Sequence, residues 1–184
     1  MFPTFMSLFV ATLLTGLALI AWGLLFFRSN AKTRTRALGL LRSQMAAYVL
    51  FGLAALWFLS HVAQLGKADF GDYKMILLAI FGLTAAAAFF CTPDFLAVRG
   101  LAGLILLSAG PLLGAAYMQY DEPQRLLLVT LVYVLIIAAM FLGTMPYLLR
   151  DFFEWLWSQP KRLKVFGGAF MAYGAVLVVT SFTY

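Results

Sequence analysis

Charge is missing from this sequence wherever buried chemistry would need it. Residues 1–27 carry no charged side chain, and Ser43–Gly66, Met75–Pro93, Gly100–Tyr120, Leu126–Leu149 and Val165–Tyr184 are equally bare. Ionisable groups at membrane depth are costly and mark function. Their absence removes the carboxylate relay of a proton-coupled carrier, the acidic ring of a cation channel and the acid–base pair of an intramembrane hydrolase. Cysteine occurs once, at Cys91, which excludes an internal disulfide, a thiolate cluster and a redox pair. Histidine also occurs once, at His61, so two histidines of this chain cannot clamp one haem. No GxxxxGK[ST], HExxH or CxxC motif is present. Ser43, Ser60 and Ser108 lie outside any GxSxG elbow and have a single histidine to serve as base. The expectation is a protein that is not an enzyme.

What fills the chain is apolar. Of 184 residues, 64% are hydrophobic and 11% charged, against roughly a quarter charged in soluble domains. Such a composition cannot cover a globular surface with polar groups, so lipid must be the main solvent. About 20 apolar residues carry a helix across the hydrocarbon core. The chain offers six such stretches, placed at about 3–27, 44–66, 75–92, 100–119, 126–145 and 165–183. None alternates with the period of two that marks a membrane β-strand. The first lacks a basic leader and a small-residue cleavage site, so it reads as a retained helix rather than a signal peptide. The predicted fold is an all-α, six-helix transmembrane bundle forming one domain over residues 1–184.

The net charge of +6 is no nucleic-acid signature, because the basic residues sit in short loops between spans. Arg28, Lys32, Arg34, Arg36, Arg42, Arg99, Arg150, Lys161, Arg162 and Lys164 fall on one side, and Lys67, Lys74 and Arg125 on the other. The positive-inside rule makes the first side cytoplasmic and both termini extracytoplasmic. This bias fits a bacterial inner membrane. Trp22, Tyr48, Tyr147, Trp155 and Trp157 gather at the expected inner interface, and Tyr73, Tyr117, Tyr120 and Tyr184 at the outer one. Amphipathic rings favour those levels.

One loop is more than a connector. Residues 146–157, PYLLRDFFEWLW, mix charges with large apolar groups at helical spacing. Pro146 suits a first turn and Pro160 would end the element. The segment reads either as a short helix lying in the inner interface or as an extension of the fifth span. Arg150, Phe153, Trp155 and Trp157 are its candidates for anchoring or partner docking. A repeat is also visible: residues 93–102 and 160–169 share the pattern P-x-x-L-x-V-x-G-x-A. Its glycines would let each following helix start packed closely on a neighbour.

Within lipid, helices meet through small residues. Gly103, Gly110 and Gly114 of the fourth span and Gly168 and Ala172 of the sixth are candidate packing positions. The second and third spans, with Ala47, Gly52, Gly82 and Ala85–Ala88, join them as interior candidates, leaving the Phe- and Leu-rich first and fifth to lipid or a partner. Pro111 should kink the fourth span and free a backbone carbonyl. His61, inside the outer end of the second span, is either a cofactor ligand for haem or a chlorophyll-type pigment, or a hydrogen-bonded interfacial histidine. The composite expectation is a non-catalytic subunit of a larger membrane assembly, in contact with lipids and other integral membrane subunits. The alternative is a small channel or carrier for neutral or weakly polar solutes. A third reading, a lipid-modifying or sensor protein, rests only on the interfacial helix and basic loops.

Overall fold

A computed structural model describes residues 6–91 and 94–184, except the side chains at positions 31 and 32. All regular structure among the described residues is helical. The order is α1 (Leu8–Phe27), α2 (Ala31–Leu41), α3 (Gln44–Ala63), α4 (Lys74–Cys91), α5 (Leu96–Ala116), α6 (Arg125–Thr144), α7 (Tyr147–Trp157) and α8 (Pro160–Ser181). Six of these, all but α2 and α7, are long and apolar enough to cross a membrane.

The helix starts follow local chemistry. Ser7 and Ser43 accept hydrogen bonds from the backbone N–H groups of Val10 and Ala46, each at 3.3 Å, as N-caps do. Pro160 opens α8 from its first turn, where the missing N–H costs nothing. The helices α5 and α8 begin earlier than the apolar spans, so Arg99, Lys161, Arg162 and Lys164 lie inside helix. Backbone hydrogen bonding continues past the hydrocarbon limit, while hydropathy counts only the apolar part. The basic loop after the first span contains α2, which hydropathy gives no reason to expect. Its signal is Asn30, whose side-chain oxygen accepts from both the N–H and the hydroxyl of Thr33 at 3.2 Å.

Contacts divide the chain into two compact units. One comprises Met1–Arg36, Ser108–Ile137 and Asp151–Tyr184, and the other Ala37–Leu107 and Ala138–Arg150. In the first, α1 and α8 run antiparallel with their backbones in contact. A Cβ added at Gly16 would stand 2.8 Å from the carbonyl oxygen of Gly174, and one at Gly23 2.7 Å from that of Gly167. The reverse additions, at Gly174 and Gly167, meet Gly16 and Gly23 just as closely. Leu8 and Ala11 join Ala109, Ala115, Ala116, Leu128 and Val132 in the core at one end. The Tyr173 hydroxyl donates to the Leu127 carbonyl at 2.9 Å and ties α8 to α6.

The first span is thus not simply a lipid-facing helix. Its small residues Ala11, Thr12, Gly16 and Gly23 are buried, while Leu14, Leu17, Trp22 and Leu25 point outward. Counting large residues alone misses this division of faces.

In the second unit, α3 packs antiparallel to α4 through Tyr48, Phe51 and Phe58 against Phe89 and Phe81. It also packs parallel to the start of α5. There a Cβ at Gly100 would collide with the Phe51 backbone, and one at Gly103 would stand 3.3 Å from the Ala54 methyl. Ala47, Leu96 and Ala97 form its small core. No described residue of α4 is buried, so the small residues of the third span do not place it in an interior.

Candidate functional site

The side chains with most to offer chemically meet where α7 turns into α8. The chain leaves α7 at Trp157 and re-enters helix at Pro160, and three side chains define the corner. The Arg162 guanidinium lies 4.6 Å from the centroid of the Trp155 ring, donates to the Trp155 carbonyl at 3.1 Å and to the Ser158 hydroxyl at 2.7 Å. A cation held over an aromatic face while closing a helix C-terminus is a favourable arrangement on both counts. The Trp157 indole N–H donates to the Ser29 hydroxyl at 3.0 Å, and its ring packs 5.8 Å from Phe26 of α1 and 5.3 Å from Phe153.

The four residues expected to act as one group therefore divide. Phe153 and Trp157 are half-buried against Phe26, while Trp155 is 52% exposed. Arg150 is half-buried. Beyond Trp155 opens a cleft of about 350 Å³, lined by Trp155, Leu156, Gln159, Lys161, Arg162 and Val165 and floored by Phe166 and Ala169. Its surface is almost wholly apolar, although Gln159, Lys161 and Arg162 are among the residues that line it. Neither Asp151 nor Glu154, the acidic residues of α7, lines it. Among the described residues Lys161 makes no hydrogen bond or ion pair.

The remaining candidates lie elsewhere. His61 is exposed in the last turn of α3, its ring stacked 6.4 Å from Trp57 at 26°. The Ser60 hydroxyl donates to the Trp57 carbonyl rather than to His61. No three histidine, cysteine, aspartate or glutamate side chains converge among the described residues. Pro111 sits exposed within an unbroken α5. Of the candidate packing positions, Gly103 meets α3, whereas a Cβ at Gly110, Gly114 or Gly168 would find nothing within 4 Å. Ala172 is exposed. Among the described residues, no neighbouring helix lies against Gly110, Gly114 or Gly168.

The glycines that do are Gly16, Gly23, Gly100, Gly167 and Gly174. Two of them, Gly100 and Gly167, occupy the same place in the repeated pattern and both open a helix against a neighbour's backbone, but Val98 and Ala102 are buried where their counterparts Val165 and Ala169 are exposed. Leu96 and Leu163, likewise equivalent, are both buried. The partners differ in sense, since α5 runs parallel to α3 and α8 antiparallel to α1; Pro93, which opens the first copy, lies outside the described residues. Compared with known protein families, curated proteins and solved structures, the chain matches none.

Proposed function

We propose that this chain is a non-catalytic integral membrane subunit that packs against other membrane subunits, with both termini extracytoplasmic and α7 lying in the cytoplasmic interface of a bacterial inner membrane. The observation that carries this reading is a set of helix faces fit for close contact and unused within the chain. The GxxxG pair Gly110 and Gly114 of α5 has open space where side chains would be, as do Gly52 and Gly82. Helix α4 leaves Ala86 and Ala87 exposed and has no buried residue. Small-residue faces of this kind let a second helix approach to backbone distance, the main source of helix association in lipid. A face that meets only bulk lipid, with no molecule held against it, has no need of them.

The interfacial assignment of α7 rests on its two-sidedness. Leu156 is fully buried, Phe153 and Trp157 pack inward, and Asp151 and Glu154 are exposed. At 11 residues it is too short to cross, since a crossing takes about 20.

Native mass spectrometry on protein drawn gently from its own membrane, with an absorption spectrum of the same sample, tests the assembly. Foreign integral subunits in stable ratio are the expected result. A visible chromophore in that particle would make the exposed His61 the first ligand to substitute. Recovery as a lone, colourless monomer would overturn the proposal.

A further inference from the structure

The geometry points to the cleft between α7 and α8 as a binding site for one anionic phospholipid, its phosphate held by Lys161 and Arg162 and an acyl chain laid along α8. The inference requires the α7–α8 corner to sit at a membrane surface, but not that partner subunits exist.

Three features of the corner fit an amphiphile and not a small soluble anion. First, an almost wholly apolar cleft is bordered by charge: Gln159, Lys161 and Arg162 are grouped at the start of α8, and Val165, Phe166 and Ala169 follow along the helix. Second, Arg162 is already fixed by Trp155 and Ser158, so its remaining N–H groups are oriented before any ligand arrives, which lowers the ordering cost of binding. Lys161 is exposed and unpaired beside it, with Lys164 a turn further on.

Third, the cleft does not end at Ala169. Positions 161, 165, 168, 169, 172 and 176 follow the spacing of one helix face. Their side chains are Lys, Val, Gly, Ala, Ala and Val, with Val165, Ala169, Ala172 and Val176 exposed. The result is a shallow track leading from the charged end toward the middle of the span, where a hydrocarbon chain can lie close to the backbone and gain dispersion contact along its length. On this account Gly168, with open space where a side chain would be, and the exposed Ala172 shape the track. A cavity of about 350 Å³ holds the headgroup and the first part of one chain, and the track takes the rest.

The test uses the full chain in detergent, with dioleoyl phosphatidylglycerol and dioleoyl phosphatidylcholine offered in competition and retention read by native mass spectrometry. The chain is expected to retain phosphatidylglycerol preferentially. Lys161→Gln, at an exposed side chain without partners, should weaken that preference about fivefold, the effect of one basic residue on an anionic lipid, and should weaken retention of phosphatidylcholine less, because its choline cation offsets the phosphate charge. Ala169→Trp, which fills the floor, should reduce retention of both lipids. Thermal unfolding of each variant confirms that the fold is intact. Equal retention of the two lipids by the native chain, or variants that behave like it, would overturn the proposal. Displacement of the lipid by millimolar inorganic phosphate would overturn it in favour of a simple anion site. Loss of a copurifying integral subunit on Ala169→Trp would overturn it in favour of a protein-docking face. A failure of the membrane placement itself would be visible separately, as cytoplasmic and external reporters reading the same side.

Discussion

Gly23 and Gly168 are both helical glycines in apolar spans, yet they do opposite things. At Gly23 a methyl group would press on the Gly167 carbonyl at 2.7 Å, with Met171 as close on its other side. Backbone cannot step aside, so Gly23→Ala should destabilise the chain by about 2 kcal/mol, the usual size of an overpacking penalty. At Gly168 the same methyl meets nothing within 4 Å. Alanine also leaves less backbone entropy to lose, so Gly168→Ala should be neutral or stabilising by up to about 1 kcal/mol. Unfolding of the two variants in detergent, by heat or by SDS titration, gives the comparison directly; equal effects would mean that the α1–α8 contact is not backbone to backbone. His61 belongs to the tolerant class. Exposed and stacked on Trp57, it should accept alanine with a change within about 0.5 kcal/mol in the same assay.

At the scale of elements, α7 shows how one aromatic-rich stretch serves two purposes. Trp157 and Phe153 pin it to α1 through Phe26, and the Trp157 indole adds a hydrogen bond to Ser29. Trp155 faces outward and holds Arg162 at the turn. Trp157→Ala should therefore cost about 3 kcal/mol, as truncating a packed tryptophan does. Ser29→Ala should cost about 1 kcal/mol for the lost hydrogen bond. Trp155→Ala should cost less than Trp157→Ala and act mainly at the α7–α8 corner. Thermal denaturation of the three variants ranks them, and a larger loss at Trp155 than at Trp157 would reverse the assignment. In the sequence these two tryptophans are indistinguishable, two positions apart among charges and aromatics. Hydropathy located all six long helices, because apolar length needs no knowledge of neighbours, and Pro160 marked the break between α7 and α8 by its own covalent geometry. Which glycine faces a partner is a property of pairs of helices. Gly16 and Gly174 show it, since nothing in either span says they will meet. The cleft is hidden for the same reason, as Trp155 and Ala169 become its two walls only once the chain has turned.

For the whole molecule, the sense of neighbouring helices bears on topology more strongly than charge does. Helix α4 is the shortest of the six long helices, at 18 residues, and has no buried residue, so it is the one whose crossing most needs support. Were α4 to lie outside the membrane, α3 and α5 would be consecutive crossings and would have to run antiparallel. Instead Gly100 meets Phe51 and Gly103 meets Ala54, two contacts that advance together along both helices, so the pair is parallel. An odd number of crossings between them satisfies this, and α4 is the single helix available. The antiparallel meeting of Gly16 with Gly174 and Gly23 with Gly167 likewise demands an even number of crossings between α1 and α8, which α3, α4, α5 and α6 supply. Reporters fused at Asn30 and Pro160 should then read cytoplasmic, and those at Gly71, Glu122 and Tyr184 external. The reading at Gly71 decides between the alternatives: a cytoplasmic signal there would place the α3–α4 connection on the basic side and require α3, not α4, to leave the membrane. With the parallel contact of α3 and α5 intact, that outcome would break the six-helix arrangement rather than adjust it.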